Sequence, residues 1–223
     1  MKTFAIIALL GVATVSHALM IDDFGTGNIN DQISAGSNQT FTAATVAGGN
    51  RYVYHDVFDG NPLSLSHTTV VTNGIFASDS KTLVDAFATL KYGSNATGVF
   101  GAFDMNLNFS GFDRIRINVL SNDQPATIRV GVGNNTQGFR FQTLAVTPNM
   151  VMVPQTLDFM FTSFTGGAFN FGDVDRISID LDTTASGDIV LDSVEAVPEP
   201  ASMIALGLGV AALISRKRKA KGN

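Results

Sequence analysis

Arg114-Ile115-Arg116-Ile117-Asn118-Val119 puts every aliphatic side chain on one side and every polar one on the other if the chain is extended. A period of two belongs to a strand with one face in a core and one in water. The pattern recurs at Ile128, Val130 and Val132, and again at Ile177, Ile179 and Leu181. Gly, Asn and Asp punctuate these runs, as turns require. The surrounding chain is rich in Thr, Val, Ile and Phe and nearly free of Glu and Lys, which is strand composition. The sequence therefore predicts an all-β domain, an antiparallel sandwich or barrel. Further strands are expected at Gln39–Val46, Tyr52–Phe58, Leu63–Val71, Thr82–Tyr92, Val99–Phe109, Phe139–Val146, Met150–Phe159 and Asp188–Ala196. Phe112–Ile117 echoes Val174–Ile179 at an interval of 62 residues, too long for a solenoid repeat, and marks two equivalent strands.

The two ends have a different character. Lys2, the apolar stretch Phe4–Val15 and the small-x-small site Ser16-His17-Ala18 form a secretory signal peptide, residues 1–18, cut after Ala18. Such a leader implies passage through the Sec export machinery. At the other end, residues 198–223 read Pro198-Glu199-Pro200, the apolar run Ala201–Ile214 and the basic segment 216–221. As a helix that run is about 21 Å long, short for a bilayer core of about 30 Å. Arg216, Lys217, Arg218 and Lys219 stop it on the cytoplasmic side of a membrane. A short C-terminal transmembrane helix with its N-terminus outside is expected.

This three-part tail resembles the PEP-CTERM sorting signal of Gram-negative bacteria. The resemblance implies transient anchoring in the inner membrane and cleavage near Pro198-Glu199-Pro200 by exosortase, an integral membrane cysteine protease. Release to the cell surface or extracellular matrix would follow.

Residues 19–197 remain as one domain. It holds eight of the 14 Lys and Arg and 18 of the 19 Asp and Glu, a net charge of −10. So acidic a surface repels nucleic acid and anionic lipid. With no Cys, it has neither disulfides nor thiol chemistry, and a domain of this length can bury a core without them.

Ile21-Asp22-Asp23-Phe24, Phe112–Val119, Phe161-Thr162-Ser163-Phe164, Val174-Asp175-Arg176-Ile177 and Ile189–Val194, in that order, resemble the jelly-roll domains of carbohydrate-binding modules with a galactose-binding-like fold. That resemblance implies a β-sandwich, a polysaccharide ligand, and a structural calcium held between the first and last strands. Asp22 or Asp23 with Asp192 would supply its carboxylates.

The residues themselves leave function open. Glycan binding needs aromatic faces beside hydrogen-bonding groups. Without Trp, the candidates are Tyr52 and Tyr54, which share a strand face. Arg114 and Arg116, with Arg129 and Arg140, form a row suited to acidic polysaccharide or to pairing with Asp. The Phe residues read mainly as core. Hydrolysis requires an acid with a base or nucleophile, and the domain carries one Glu, Glu195, and two His, His55 and His67, without a catalytic motif around them. A non-catalytic glycan-binding or structural protein of the surface is the expectation. An Asp-dependent exported hydrolase and a protein-binding adhesin are the alternatives.

Overall fold

The computed structural model describes residues 17–58, 61–99, 105–149 and 153–199. The signal-peptide core, Pro200, the apolar run and the basic stop lie outside these residues. Among the described residues no helix is long and apolar enough to cross a membrane.

Among the described residues thirteen strands follow one another: β1 Leu19–Asp22, β2 Ile29–Ile33, β3 Gly36–Ala43, β4 Asn50–Val57, β5 His67–Thr72, β6 Ile75–Ser80, β7 Ala86–Tyr92, β8 Phe112–Asn122, β9 Ala126–Asn134, β10 Gly138–Val146, β11 Gln155–Met160, β12 Arg176–Thr183 and β13 Asp188–Pro198. They form two antiparallel sheets. One has the order β11-β8-β13-β6-β5-β2, with β1 on β13; the other runs β10-β9-β12-β7-β4-β3. The domain is an antiparallel β-sandwich of jelly-roll type.

The strand that decides the fold behaves as its pattern demands. Ile115, Ile117 and Val119 of β8 are fully buried, and so are Ile177 and Ile179 of β12. The echoed segments thus lie in opposite sheets, in inner positions of each, and their aliphatic faces share one core.

Three expected strands are corrected. The described residues of the stretch 99–109, Val99 and 105–109, lie in no strand: only Leu107 makes an isolated bridge, to Val174. The chain turns at Gly98, φ 70°, and Asn106 is also left-handed at φ 49°. The strand expected from Leu63 begins at His67, because the Asn61 side chain accepts from Leu65 N and donates to Leu65 O, holding a turn there. The strand expected from Thr82 begins at Ala86, after Leu83 at φ 67°. Three strands were not anticipated: β1, β2 and β6. The last pairs with β5 across Asn73-Gly74, both at positive φ. Asn-Gly is the turn that matches the twist of a two-residue hairpin.

The first strand is fixed by a buried ion pair. Asp22 and Arg51 are both fully buried. Arg51 donates through Nε and Nη2 to the two Asp22 oxygens at 2.6 Å each. Tyr92 Oη and Phe24 N each donate to the same carboxylate at 2.8 Å. Arg51 Nη1 donates to the carbonyls of Thr26 and Gly27 at 3.0 Å. Burial alone would lower the Arg51 pKa, but Asp22 more than offsets it and the group stays cationic.

Candidate binding groove

The outer face of the six-stranded sheet carries a groove of about 580 Å³. Its rows follow from strand register. Thr143, Arg129, Asp180, Thr89 and Tyr54 are successive cross-strand neighbours on β10, β9, β12, β7 and β4. The adjacent row is Phe141, Gly131, Ser178, Lys91 and Tyr52.

Two aromatic banks flank a polar floor. On β10, Phe139 and Phe141 stack at 5.5 Å with an interplanar angle of 15°. They lie flat because β9 offers them glycines. A Cβ on Gly131 would sit 2.6 Å from Phe141 Cε1, and one on Gly133 would sit 3.1 Å from Phe139 Cδ1. On the far side, Phe87 lies 5.6 Å from Tyr54 and 5.3 Å from Phe58, stacked on the latter. Three strand spacings separate β10 from β7, roughly 14 Å.

Between the banks, Arg129 Nε donates to Asp180 Oδ2 at 2.8 Å, and Thr89 donates to Asp180 Oδ1 at 3.0 Å. The Arg129 guanidinium lies 5.0 Å from the Phe141 ring centroid, within cation–π range. Lys91 donates to Gly98 O at 3.2 Å, and burial lowers its pKa against the pull of Asp180. Burial, then the neighbouring Asp85, raises the Asp182 carboxyl. The lining holds two basic side chains, Lys91 and Arg129, and two acidic ones, Asp180 and Asp182. The charges of these described lining residues sum to zero in a strongly acidic domain.

The structure divides the residues singled out from sequence. Tyr54 lines the groove and donates to Asp56 at 3.0 Å. Tyr52 is only 2% exposed: it donates to Gln39 at 2.5 Å, and Gly98 lies against its ring, where a Cβ would come within 2.3 Å. Tyr52 supports the groove and offers no face to a ligand. Arg114 and Arg116 are on the other sheet, bound to Asp158 at 2.9 and 2.8 Å, with Arg114 also on Asp113 at 2.7 Å. Arg140 points toward the 160s loop and donates to the carbonyls of Gly167 and Ala168. The four arginines therefore do not form one surface. Phe139, Phe141, Phe87 and Phe58, read as core, form the banks. For Phe139 and Phe141, their positions at i and i+2 on β10, opposite the inward Leu144 and Val146, were the available signal.

The carboxylates expected to hold calcium have different settings. Asp23 is exposed and accepts from Gly25 N. Asp192 is exposed in an irregularity of β13, between Leu191 and Ser193 in the register with β8. Asp22, the other candidate, is filled by Arg51, Tyr92 and Phe24, and the nearby Thr26 and Gly27 carbonyls are taken by Arg51. Among the described residues no three His, Asp or Glu side chains are grouped to share a metal ion. With both oxygens so occupied, Asp22 does not fit a calcium site.

His55 and His67, from facing sheets, meet in the core with ring centroids 5.3 Å apart, both at most 1% exposed. His55 Nε2 lies 3.2 Å from Asp31 Oδ2, and His67 Nδ1 lies 2.9 Å from Ser80 Oγ. Burial lowers both pKa values; repulsion from His55 adds to the effect on His67, which falls to about 4. The pair is sealed from substrate.

β13 ends at Pro198, and Glu199 follows it. Residues 196–219 match the PEP-CTERM protein-sorting motif. The tail is thus a sorting tail of that type, attached directly to a strand of the sandwich. No curated protein matches the chain. Among solved structures, the chain is similar to the family 11 carbohydrate-binding module of a cellulosomal cellulase of Clostridium thermocellum, at 14% identity and TM-score 0.44, covering 83% of this chain and 97% of the module. It is also similar to a family 29 carbohydrate-binding module complexed with cellulohexaose, at 15% identity and TM-score 0.36, covering 72% and 91%. An agarase is similar at 9% identity and TM-score 0.41, over 82% of this chain and 25% of the agarase.

Proposed function

We propose that this is an exported protein, sorted through its PEP-CTERM tail by exosortase and released at the cell surface or into the extracellular matrix of a Gram-negative bacterium. Its sandwich binds a neutral polysaccharide in the groove of the six-stranded sheet, without catalysis. The observation that carries this reading is the pairing of two aromatic banks with a charge-balanced floor of Thr, Ser, Asp, Arg and Lys. Sugar rings present apolar faces and hydroxyl edges, and such a surface meets both. The zero net charge of the lining, inside a domain of −10, favours a neutral chain over a uronate polymer.

Hydrolysis finds little support in the groove. Glycoside cleavage ordinarily uses two carboxyl groups in different roles. Both Asp180 oxygens are held, by Arg129 and Thr89, and Asp182 is the one other carboxyl among the described lining residues. A glycan array probed with the purified protein tests the reading: binding concentrated among neutral polysaccharides supports it. Hydrolysis of an array sugar, or an array empty of binding, would replace it with the hydrolase or the adhesin respectively.

A further inference from the structure

The tail is joined to the sandwich without a linker, and this restricts where it can be cut. β13 is an interior strand: its last third is paired to β8 on one side and to β1 on the other. Ala196 faces both Ile115 of β8 and Leu19 of β1, and it is fully buried. Val197 is opposite Arg114, and Pro198 is opposite Phe112. A protease takes its substrate as an extended, unpaired segment, so backbone already used in a sheet is protected unless that sheet edge opens. Breaking the chain before Pro198 demands that Val194, Ala196 and Val197 leave β8, and that β1 lose its partner. Val194 and Ala196 are core residues, so that opening exposes part of the hydrophobic interior.

We propose that the processing cut lies on the C-terminal side of Pro198, so that the mature chain keeps all of β13. This rests on the sorting reading above and adds the position of the modification. Leu19 and Ala196 are cross-strand partners, so the two processed ends of the mature domain lie side by side at one end of the seven-stranded sheet. Each hydrophobic address leaves the fold from that same end, and both can reach one membrane without unfolding the domain between them. The same pairing makes β13 the element that limits the protease. Chain free of the sheet begins only at Glu199.

The test uses the full chain expressed in an exosortase-bearing host, with intact mass measured on membrane and medium fractions. The expected released species ends at Pro198 or later. A second chain carries Gly-Ser-Gly-Ser between Val197 and Pro198. It supplies unpaired residues ahead of an intact Pro198-Glu199-Pro200, and release is expected to be several-fold faster. A released species ending at Val197 or earlier overturns the inference and leaves sorting intact. Release no faster from the extended chain overturns the strand as the limiting element. Absence of any released species overturns the sorting reading itself, and the position with it.

Discussion

Arg51→Met tests the buried ion pair that fixes the first strand. Methionine keeps an unbranched apolar stem and removes the guanidinium. Asp22 then retains only Tyr92 Oη and Phe24 N as donors, and the carbonyls of Thr26 and Gly27 lose theirs. Removing one partner of a buried pair costs about 3–5 kcal/mol, because an uncompensated charge stays behind. For a domain of this size each kcal/mol moves Tm by about 2–4 °C, so a fall of about 10 °C is expected. Asp22→Asn with Arg51→Met removes both charges and should lose less than Arg51→Met alone. The assay is reversible urea unfolding of the single and double variants, with thermal melts as a check. A cost under about 1 kcal/mol for Arg51→Met, or a double variant that loses the sum of the two singles, would refute the reasoning.

Three further outcomes follow from the same geometry. The His67 pKa of about 4 lies below its unfolded value of 6.5, so the folded state binds fewer protons and stability is complete above pH 6.5. It falls by on the order of 3 kcal/mol as pH drops from 6.5 toward 4; His67→Gln should flatten that decline in melts taken across the window. Gly131→Val places side-chain atoms where the Phe141 ring lies, since even a Cβ would come within 2.6 Å. It should cost about 1–3 kcal/mol and weaken glycan binding by at least tenfold in calorimetric titration. Asp158→Asn removes the charge that Arg114 and Arg116 share on the opposite sheet, while Arg114 keeps Asp113; these partly exposed pairs are worth about 1 kcal/mol, less in high salt, and glycan affinity should not change.

The sandwich was legible where one face is apolar and the other polar. β8, β9 and β12 alternate cleanly because each buries one face in the shared core. β1 and β2 are four and five residues long, too short for periodicity to stand out. β6 was hidden by its inward Ser78 and Ser80, which line a polar patch beside His67, although Asn73-Gly74 announced its hairpin. The groove was half legible. Tyr54 was found by chemistry, but Tyr52, identical in pattern, is covered by the Gly98 loop, a tertiary contact that no local pattern encodes. Phe139 and Phe141 were read as core because phenylalanine usually is. Alternation along β10 turns them outward, opposite Leu144 and Val146; the glycines on the neighbouring strand that let them lie flat are visible only once register is known. Asp22 and Asp23 could not be told apart in sequence, yet one is buried under Arg51 and the other lies in water.

The central claim is that the six-stranded face binds a neutral glycan through its aromatic banks. The most direct measurement is calorimetric titration of the purified protein with a soluble mixed-linkage β-glucan, a galactomannan, agarose oligosaccharides and polygalacturonate. Wild type would be compared with Tyr54→Ala, Phe141→Ala and Arg116→Ala. Binding of at least one neutral polysaccharide, insensitive to salt, is expected. That binding should be weakened at least about tenfold, or 1.4 kcal/mol, in Tyr54→Ala and Phe141→Ala and be unchanged in Arg116→Ala. Salt-sensitive preference for polygalacturonate that disappears in Arg116→Ala, or no binding to any of the four, would contradict it.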